Sequence, residues 1–161
     1  MSILQNLVSQ INQAMQEIEN PQIDLKLPQK KIIQLSGDER YRLDFVDTGY
    51  DNANGILTAS IFSHGLIMLQ LKVDTGIASG GDPNVPLLNL KLTDLVPSPI
   101  KPGDPDHTQY ACGDGVIDWR PGFSILEVDG GNLTWKIWPL SPVNGRDNKI
   151  FLASIFYHID S

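Results

Sequence analysis

The spacing of apolar residues changes once along the chain, from a helical period before Pro21 to an alternating one after it. In the first 20 residues the apolar positions recur at intervals of three and four residues, at Leu4, Leu7, Ile11, Ala14 and Ile18. This spacing predicts an amphipathic helix of about four turns over residues 1–20, which Ser2 can cap and Pro21 ends. The other face of the helix consists mostly of glutamine and asparagine.

Two roles for this helix are compatible with the pattern. As a lid, the helix would lie across an open end or a face of the domain that follows. As a self-association element, it would join two or three copies, because its apolar positions Leu4, Leu7, Ile11 and Ile18 also fit a heptad repeat. Two heptads alone are marginal in water, so the rest of the chain would have to contribute to such an assembly.

Residues 21–161 alternate between apolar and polar positions in short runs that turn-forming residues separate. Alternation predicts half-exposed strands, the first of them at residues 23–27. Because no helical run separates the strands, an alternating parallel architecture is excluded. The predicted fold is a single mainly β domain, an antiparallel β-sandwich of jelly-roll type with about nine or ten strands.

Two hairpins are predicted from the turn-forming residues. Residues 31–35 and 41–46 flank a polar stretch and are expected to pair with each other. The core-facing residues of the second strand would be Tyr41, Leu43 and Phe45. The clearest turn is Asp-Gly-Gly-Asn at residues 129–132, because two adjacent glycines adopt positive φ without steric cost.

A nine-residue sequence occurs twice, as ILTASIFSH at residues 56–64 and as IFLASIFYH at residues 150–158. Six of the nine positions are identical. The β-branched, aromatic and small apolar residues in both copies are typical of strands buried on both faces, or nearly so. We therefore expect these two segments to be the central strands of the domain.

Charge and composition exclude several classes of function. Lysine and arginine total 12 against 19 aspartate and glutamate residues, a net charge of −7, so nucleic acid is not expected as a partner. Cys112 is the only cysteine, which excludes an internal disulfide. No apolar run is long enough to span a bilayer, and no signal peptide is recognisable. A cytoplasmic protein is expected, although export by a signal-independent route would leave no trace in the sequence.

The histidines are the first candidates for chemistry. His64 and His158 end the two repeated segments on matching faces, so a fold that brings them together would create a pair of metal ligands, with His107 or Asp106 as a third. The same pair would supply acid–base groups to a small enzyme. In the simpler interpretation, both are exposed histidines, one in a turn and the other near the carboxyl terminus.

Calcium is the metal that the acidic loops of the sequence suggest. Residues 47–54 contain Asp47, Asp51, Asn52 and Asn54, which offer the oxygen ligands that calcium prefers. The segment does not have the ligand spacing of an EF-hand, however, and aspartate and asparagine also favour turns for local backbone reasons.

The tryptophans are candidates for carbohydrate recognition. Trp135 shares a face of its predicted strand with apolar neighbours and is expected in the core. Trp119 and Trp138 would present flat rings to a sugar, with hydrogen bonds from Asp118, Asp129 and Asn132. The alternative is that these two tryptophans are buried in the core or in an interface.

No nucleophile elbow, phosphate-binding glycine loop or zinc-protease motif is present. The predicted function is therefore a non-enzymatic binding or assembly module that recognises a carbohydrate or a protein through loops of the sandwich. Self-association into a homo-oligomeric structural component belongs to the same prediction. The alternative is a small enzyme that uses His64 and His158 in a cleft of the sandwich.

Overall fold

The computed structural model describes residues 2–19, 27–46, 53–77, 83–117, 120–141 and 148–159. These residues form one α-helix, one 3-10 helix and nine strands. The helices are α1 (Ile3–Glu19) and the 3-10 helix Gly37–Arg42. The strands are β1 (Gln29–Leu35), β2 (Leu43–Phe45), β3 (Asn54–Ile61), β4 (Leu66–Ile77), β5 (Leu88–Lys91), β6 (Gln109–Ile117), β7 (Arg120–Asp129), β8 (Asn132–Pro139) and β9 (Asn148–His158).

All nine strands belong to one antiparallel sheet with the order β1-β3-β4-β9-β6-β7-β8-β5-β2. The two edge strands, β1 and β2, are consecutive in the chain and joined only by residues 36–42, so the two edges of the sheet must lie close together. Across this closure, Lys31 Nζ donates a hydrogen bond of 2.7 Å to the Leu95 carbonyl. The sheet thus curls over its own inner face, and the predicted mainly β, sandwich-like fold with one amino-terminal helix is confirmed.

The inner face of the curled sheet forms the hydrophobic core. Phe45 on edge strand β2 packs edge to face against Phe151 on interior strand β9, with ring centroids 5.7 Å apart. Opposite parts of the curled sheet are therefore in contact across its interior. Trp135 on β8 has no exposed surface, as the alternation of its strand predicted. The fully buried aliphatic residues around it include Leu88, Leu90, Leu126, Leu133 and Ile137.

The hairpin predicted for residues 31–35 and 41–46 is wrong. The strands in these segments, β1 and β2, lie at opposite edges of the sheet, and residues 37–42 form the 3-10 helix between them. Tyr41, predicted to face the core, is 59% exposed because it belongs to that helix, whereas Leu43 is buried as expected. The strand predicted at residues 23–27 falls almost entirely on residues 20–26, outside the described part of the chain.

The repeated segments form interior strands, since β3 and β9 pair with the two sides of β4. The expectation that both faces would be buried is wrong, because burial alternates along each strand. Apolar side chains on the outer face remain accessible: Ile56 is 41%, Leu152 40% and Phe156 53% exposed. The outer face of this half of the sheet is therefore unusually apolar for a surface exposed to water.

Helix α1 begins with a capping box. The Gln5 backbone N–H donates to Ser2 Oγ at 3.3 Å, and the Ser2 backbone N–H donates to Gln5 Oε1 at 3.1 Å, so two otherwise unpaired donors at the helix start are satisfied. Every residue from 2 to 16 is exposed, so this part of α1 does not pack on the sheet. Among the described residues, no helix combines the length and the apolar composition needed to cross a membrane.

Tyr157 on β9 links the core to the connection after β5, and this link should be visible in alkaline solution. Its hydroxyl donates to the Pro97 carbonyl at 2.6 Å, and burial raises the pKa of the phenol above its ordinary value of 10.0. The folded chain keeps this proton where the unfolded chain releases it. The contribution of the protonated Tyr157 phenol to the free energy of unfolding is therefore complete below pH 10.0 and is lost as the pH rises above that value.

We expect Tyr157→Phe to lower the free energy of unfolding by about 1–2 kcal/mol at neutral pH, because the Pro97 carbonyl loses its donor. Urea unfolding at neutral and alkaline pH measures both effects. The variant should also lose less stability than the wild type at alkaline pH. Equal alkaline losses in the two proteins would contradict the role given to the phenol.

Candidate ligand-binding site

A polar depression of about 410 Å³ lies on the outer face of the sheet at strands β2, β5 and β8. We call it the polar pocket. Its lining residues are Tyr41, Arg42, Asp44, Asn89, Lys91, Thr93, Asp94, Asp129, Asn132 and Thr134. The volume falls within the range of about 300–1,000 Å³ that is typical of small-molecule sites.

Strand alternation places these polar residues together. On β2, Leu43 faces the core and Asp44 faces outward; on β5, Leu88 and Leu90 are buried while Asn89 and Lys91 lie on the other face. The register sets Asp44 opposite Asn89, and Lys91 opposite Thr134. Three short polar segments far apart in the sequence thus form one continuous surface.

The hairpin between β7 and β8 supplies one wall of the pocket. Gly130 and Gly131 have φ values of 56° and 76°, so the predicted turn at residues 129–132 is confirmed and sets Asp129 directly opposite Asn132. The Asp106 carboxylate accepts a hydrogen bond of 2.8 Å from the Gly131 backbone N–H, which holds the turn against the preceding loop.

A largely buried ionic network lies beneath this wall. The Lys136 ammonium pairs with Glu127 and, at 3.1 Å, with Asp129 Oδ2; the side chains of Lys136 and Glu127 are only 15% and 10% exposed. Burial alone would lower the pKa of Lys136, but the hydrogen bonds to Glu127 and Asp129 outweigh burial and raise that pKa above its ordinary value. Lys136 is therefore charged at neutral pH, and it holds the Asp129 carboxylate in place.

Arg42 is fixed in a similar way on the opposite side of the pocket. Its Nε donates to the Glu39 carboxylate and its Nη1 donates to the Thr93 carbonyl at 3.0 Å. The guanidinium also lies 4.9 Å from the centre of the Tyr41 ring. Because these contacts order the arginine before any ligand arrives, binding would cost little conformational entropy on this side.

One buried oxygen at the pocket has no hydrogen-bond partner among the described residues. Asn89 Oδ1 is buried, and no described residue donates a hydrogen bond to it. Leaving such an oxygen unpaired costs free energy.

The backbone is unusual at the same place. Asp94 and His107 are the only non-glycine residues with positive φ in the described ranges, at 67° and 66°. Asp94 lines the pocket, and His107 Nδ1 lies 3.9 Å from Asp129 Oδ1. Residues held in this conformation occur often at binding sites, where the surrounding contacts maintain them.

Of the residues predicted for sugar recognition, the structure separates Trp138 from Asp129 and Asn132. Asp129 and Asn132 line the polar pocket. Trp138 lies near the other end of β8, where its ring stacks on Phe123 with centroids 5.1 Å apart and an interplanar angle of 1°. Asp118 and Trp119 fall outside the described residues.

Most residues of the polar pocket were not predicted from the sequence. The outward-facing polar residues of β2 and β5, among them Asp44, Asn89 and Lys91, alternate with leucines and phenylalanine as in any half-exposed strand. Their alternation indicated the exposed face, but nothing in it indicated that these positions adjoin Asn132.

His64 and His158 lie next to each other, and the contact joins the ring of His158 to the main chain of His64. The ring Nε2 of His158 lies 2.8 Å from the His64 carbonyl oxygen; because a carbonyl only accepts, Nε2 carries the proton. Gly65 allows this approach: its φ is 87°, and a Cβ there would lie 2.6 Å from the Ile159 carbonyl oxygen.

Two metal sites were predicted, one at His64 and His158 and one in the acidic loop of residues 47–54. Among the described residues, no three histidine, cysteine, aspartate or glutamate side chains are placed to hold a metal ion. Asp47 and Asp51, and with them most of the predicted calcium loop, lie outside the described ranges. The prediction for these two aspartates stays a prediction.

A second, more open depression of about 540 Å³ crosses the outer face of β3, β4, β9 and β6. We call it the apolar groove. Ile56, Val116 and Leu152 line it, with Lys72 and Asp114 as its charged members. Its chemistry suits an apolar contact surface better than a site for a polar ligand.

Comparison of the chain with protein-family models, with curated proteins and with solved structures gives no match. The argument for function therefore rests on the geometry of the polar pocket and of the surfaces around it.

Proposed function

We propose that this protein is a non-enzymatic binding module that recognises a neutral carbohydrate in the polar pocket. The observation that supports this proposal most directly is the mixture of groups that line the pocket. Donors, acceptors and groups that do both lie side by side, which matches a ligand whose hydroxyl groups also donate and accept.

The charge of the pocket favours a neutral ligand. Arg42 and Lys91 supply two cationic side chains, and Asp44, Asp94 and Asp129 supply three carboxylates. Arg42 is already paired with Glu39, and Asp129 with Lys136. With charges of both signs interspersed, an anionic ligand would meet carboxylates and a cationic ligand would meet ammonium and guanidinium groups.

Order in the pocket favours binding, because little conformational entropy is lost when a ligand arrives. Arg42, Asp129 and Asn132 are each held by hydrogen bonds, since the Asn132 amide also donates to the Gly130 carbonyl at 3.2 Å. The exposed Tyr41 ring at the rim offers an apolar surface for the C–H side of a sugar. The alternative enzyme based on His64 and His158 gains no support here, because neither residue lines the polar pocket or the apolar groove.

The test is calorimetric titration of the full chain with a panel of neutral disaccharides and oligosaccharides. At least one should bind, with an affinity that changes little with salt, because no net charge is neutralised. We expect Asp44→Asn to weaken that binding about tenfold, since one hydrogen bond to a charged group is worth about 1.5 kcal/mol.

Asp114→Asn is the matched control, because it removes the same charge from the apolar groove on the same outer face. It should leave the affinity unchanged. Absence of binding across the panel, equal weakening by both variants, or release of cleaved sugar during the titration would each overturn the proposed function.

A further inference from the structure

Helix α1 exposes an apolar stripe that no described residue of the single chain covers. Leu7, Val8, Ile11 and Met15 are each 50–52% exposed, and Leu4 is 71% exposed. All residues from 2 to 16 are exposed, so the stripe does not rest on the domain that follows. Because an isolated helix of this length is only marginally stable in water, packing of the stripe against another surface is needed to hold it.

The chemistry of α1 indicates what that surface is. Residues 2–16 contain no charged side chain, although the whole chain has a net charge of −7. A charged partner would find nothing complementary on residues 2–16, since the two glutamates of the helix, Glu17 and Glu19, lie at its carboxyl end. A second α1, in contrast, brings an identical uncharged stripe, so two copies can meet there without the repulsion that their acidic domains would impose elsewhere.

The spacing of the apolar residues fits such a contact. In a heptad, Leu4 and Ile11 take the first core position and Leu7 takes the second. Val8 and Met15 follow directly after the second core position and widen the stripe beyond the narrow seam of a simple pair. We propose that α1 packs against α1 of one or two further copies of this chain, which makes the protein a homo-oligomer joined at its amino-terminal helices.

This inference does not depend on the polar pocket, since α1 contributes no residue to it. The two would act together, however, because an oligomer presents several pockets at once, and linked sites bind a repeating ligand more tightly than one site does.

The test is the mass of the full chain in solution, measured by light scattering over a dilution series. The wild type should have a mass of about two or three times the 17.8 kDa of one chain. Leu7→Asn combined with Ile11→Asn should reduce the mass to that of the single chain. These two residues do not pack on the sheet, so the variant should keep the wild-type tryptophan fluorescence, which confirms that the domain is folded.

Two controls make the result decisive. Ser9→Asn combined with Gln13→Asn introduces the same residues on the polar face of the helix and should leave the mass unchanged. Leu152→Asn in the apolar groove should also leave it unchanged. A wild type of single-chain mass, or an oligomer that survives Leu7→Asn with Ile11→Asn, would overturn the inference. A mass lowered only by Leu152→Asn would place the interface on the sheet and overturn it equally.

Discussion

Replacing Trp135 with alanine is expected to lower the free energy of unfolding by about 3–5 kcal/mol. Trp135 has no exposed surface, and its neighbours across the sheet, Leu126 on β7 and Leu90 on β5, are fully buried as well. The core cannot close around the lost ring without moving two paired strands. Since domains of this size are stable by about 5–15 kcal/mol, the loss is a large share of the total.

Urea unfolding followed by circular dichroism measures this loss, and two variants serve as controls. Trp138→Ala removes the same side chain from the outer face of the same strand and should cost clearly less, because Trp138 is only half-buried and stacks on Phe123. Trp135→Phe should also cost less than Trp135→Ala. It leaves a smaller cavity, and it removes a buried indole N–H that has no acceptor among the described residues. Equal costs for Trp135→Ala and Trp138→Ala would contradict the assignment of the core.

Replacing Lys136 with methionine is expected to lower the free energy of unfolding by about 3 kcal/mol, although the methionine fills a similar volume. The Glu127 side chain is 10% exposed, and Lys136 is its ion-pair partner. The substitution leaves the carboxylate of Glu127 buried beside Asp129, with no opposite charge in the network to compensate it. The cost therefore comes from the uncompensated acid more than from the lost lysine.

The double variant Lys136→Met with Glu127→Leu separates these two causes. Removing both charges should restore most of the stability, because a buried ion pair and an apolar pair of similar volume differ little in free energy.

Raising the pH gives a second readout. The pKa of Lys136 is above its ordinary value of 10.5 in the folded chain, so its contribution is complete below pH 10.5 and is lost above it.

The difference between wild type and Lys136→Met should accordingly shrink in alkaline solution. A single variant as stable as the wild type at neutral pH would show that water screens this pair in spite of its burial. A double variant no more stable than the single one would show that the lysine stem, and not its charge, stabilises the wall of the polar pocket.

The amino-acid pattern was enough to predict local features. The three-four spacing of Leu4, Leu7 and Ile11 predicted α1, and the glycines at 130 and 131 predicted the turn between β7 and β8. Alternation also placed Trp135 in the core and Trp138 on the opposite face of β8. Each of these features depends on residues within a few positions of one another, because helix and strand periods act over that distance.

The same pattern gave wrong predictions where the pairing of strands far apart in the sequence determines the structure. Residues 31–35 and 41–46 look like a hairpin, but the sheet separates them to its two edges and then brings those edges together by curling. The apolar residues of β3 and β9 suggested burial on both faces, whereas Ile56 and Phe156 stay exposed on the outer face. A strand pattern states which residues share a face and not what lies against that face.

By itself, then, the sequence determined a mainly β chain with one amphipathic helix, the identity of the core residues on β8, and an acidic net charge of −7. Only the tertiary structure decided that Asp44, Asn89 and Asn132 would surround one pocket and that α1 would leave its stripe uncovered. The physical reason is the distance along the sequence over which each kind of contact acts. Side-chain facing follows from neighbours in the chain, while a pocket depends on which strands pair, in what register and with what curl, and these are settled by contacts between residues far apart in sequence.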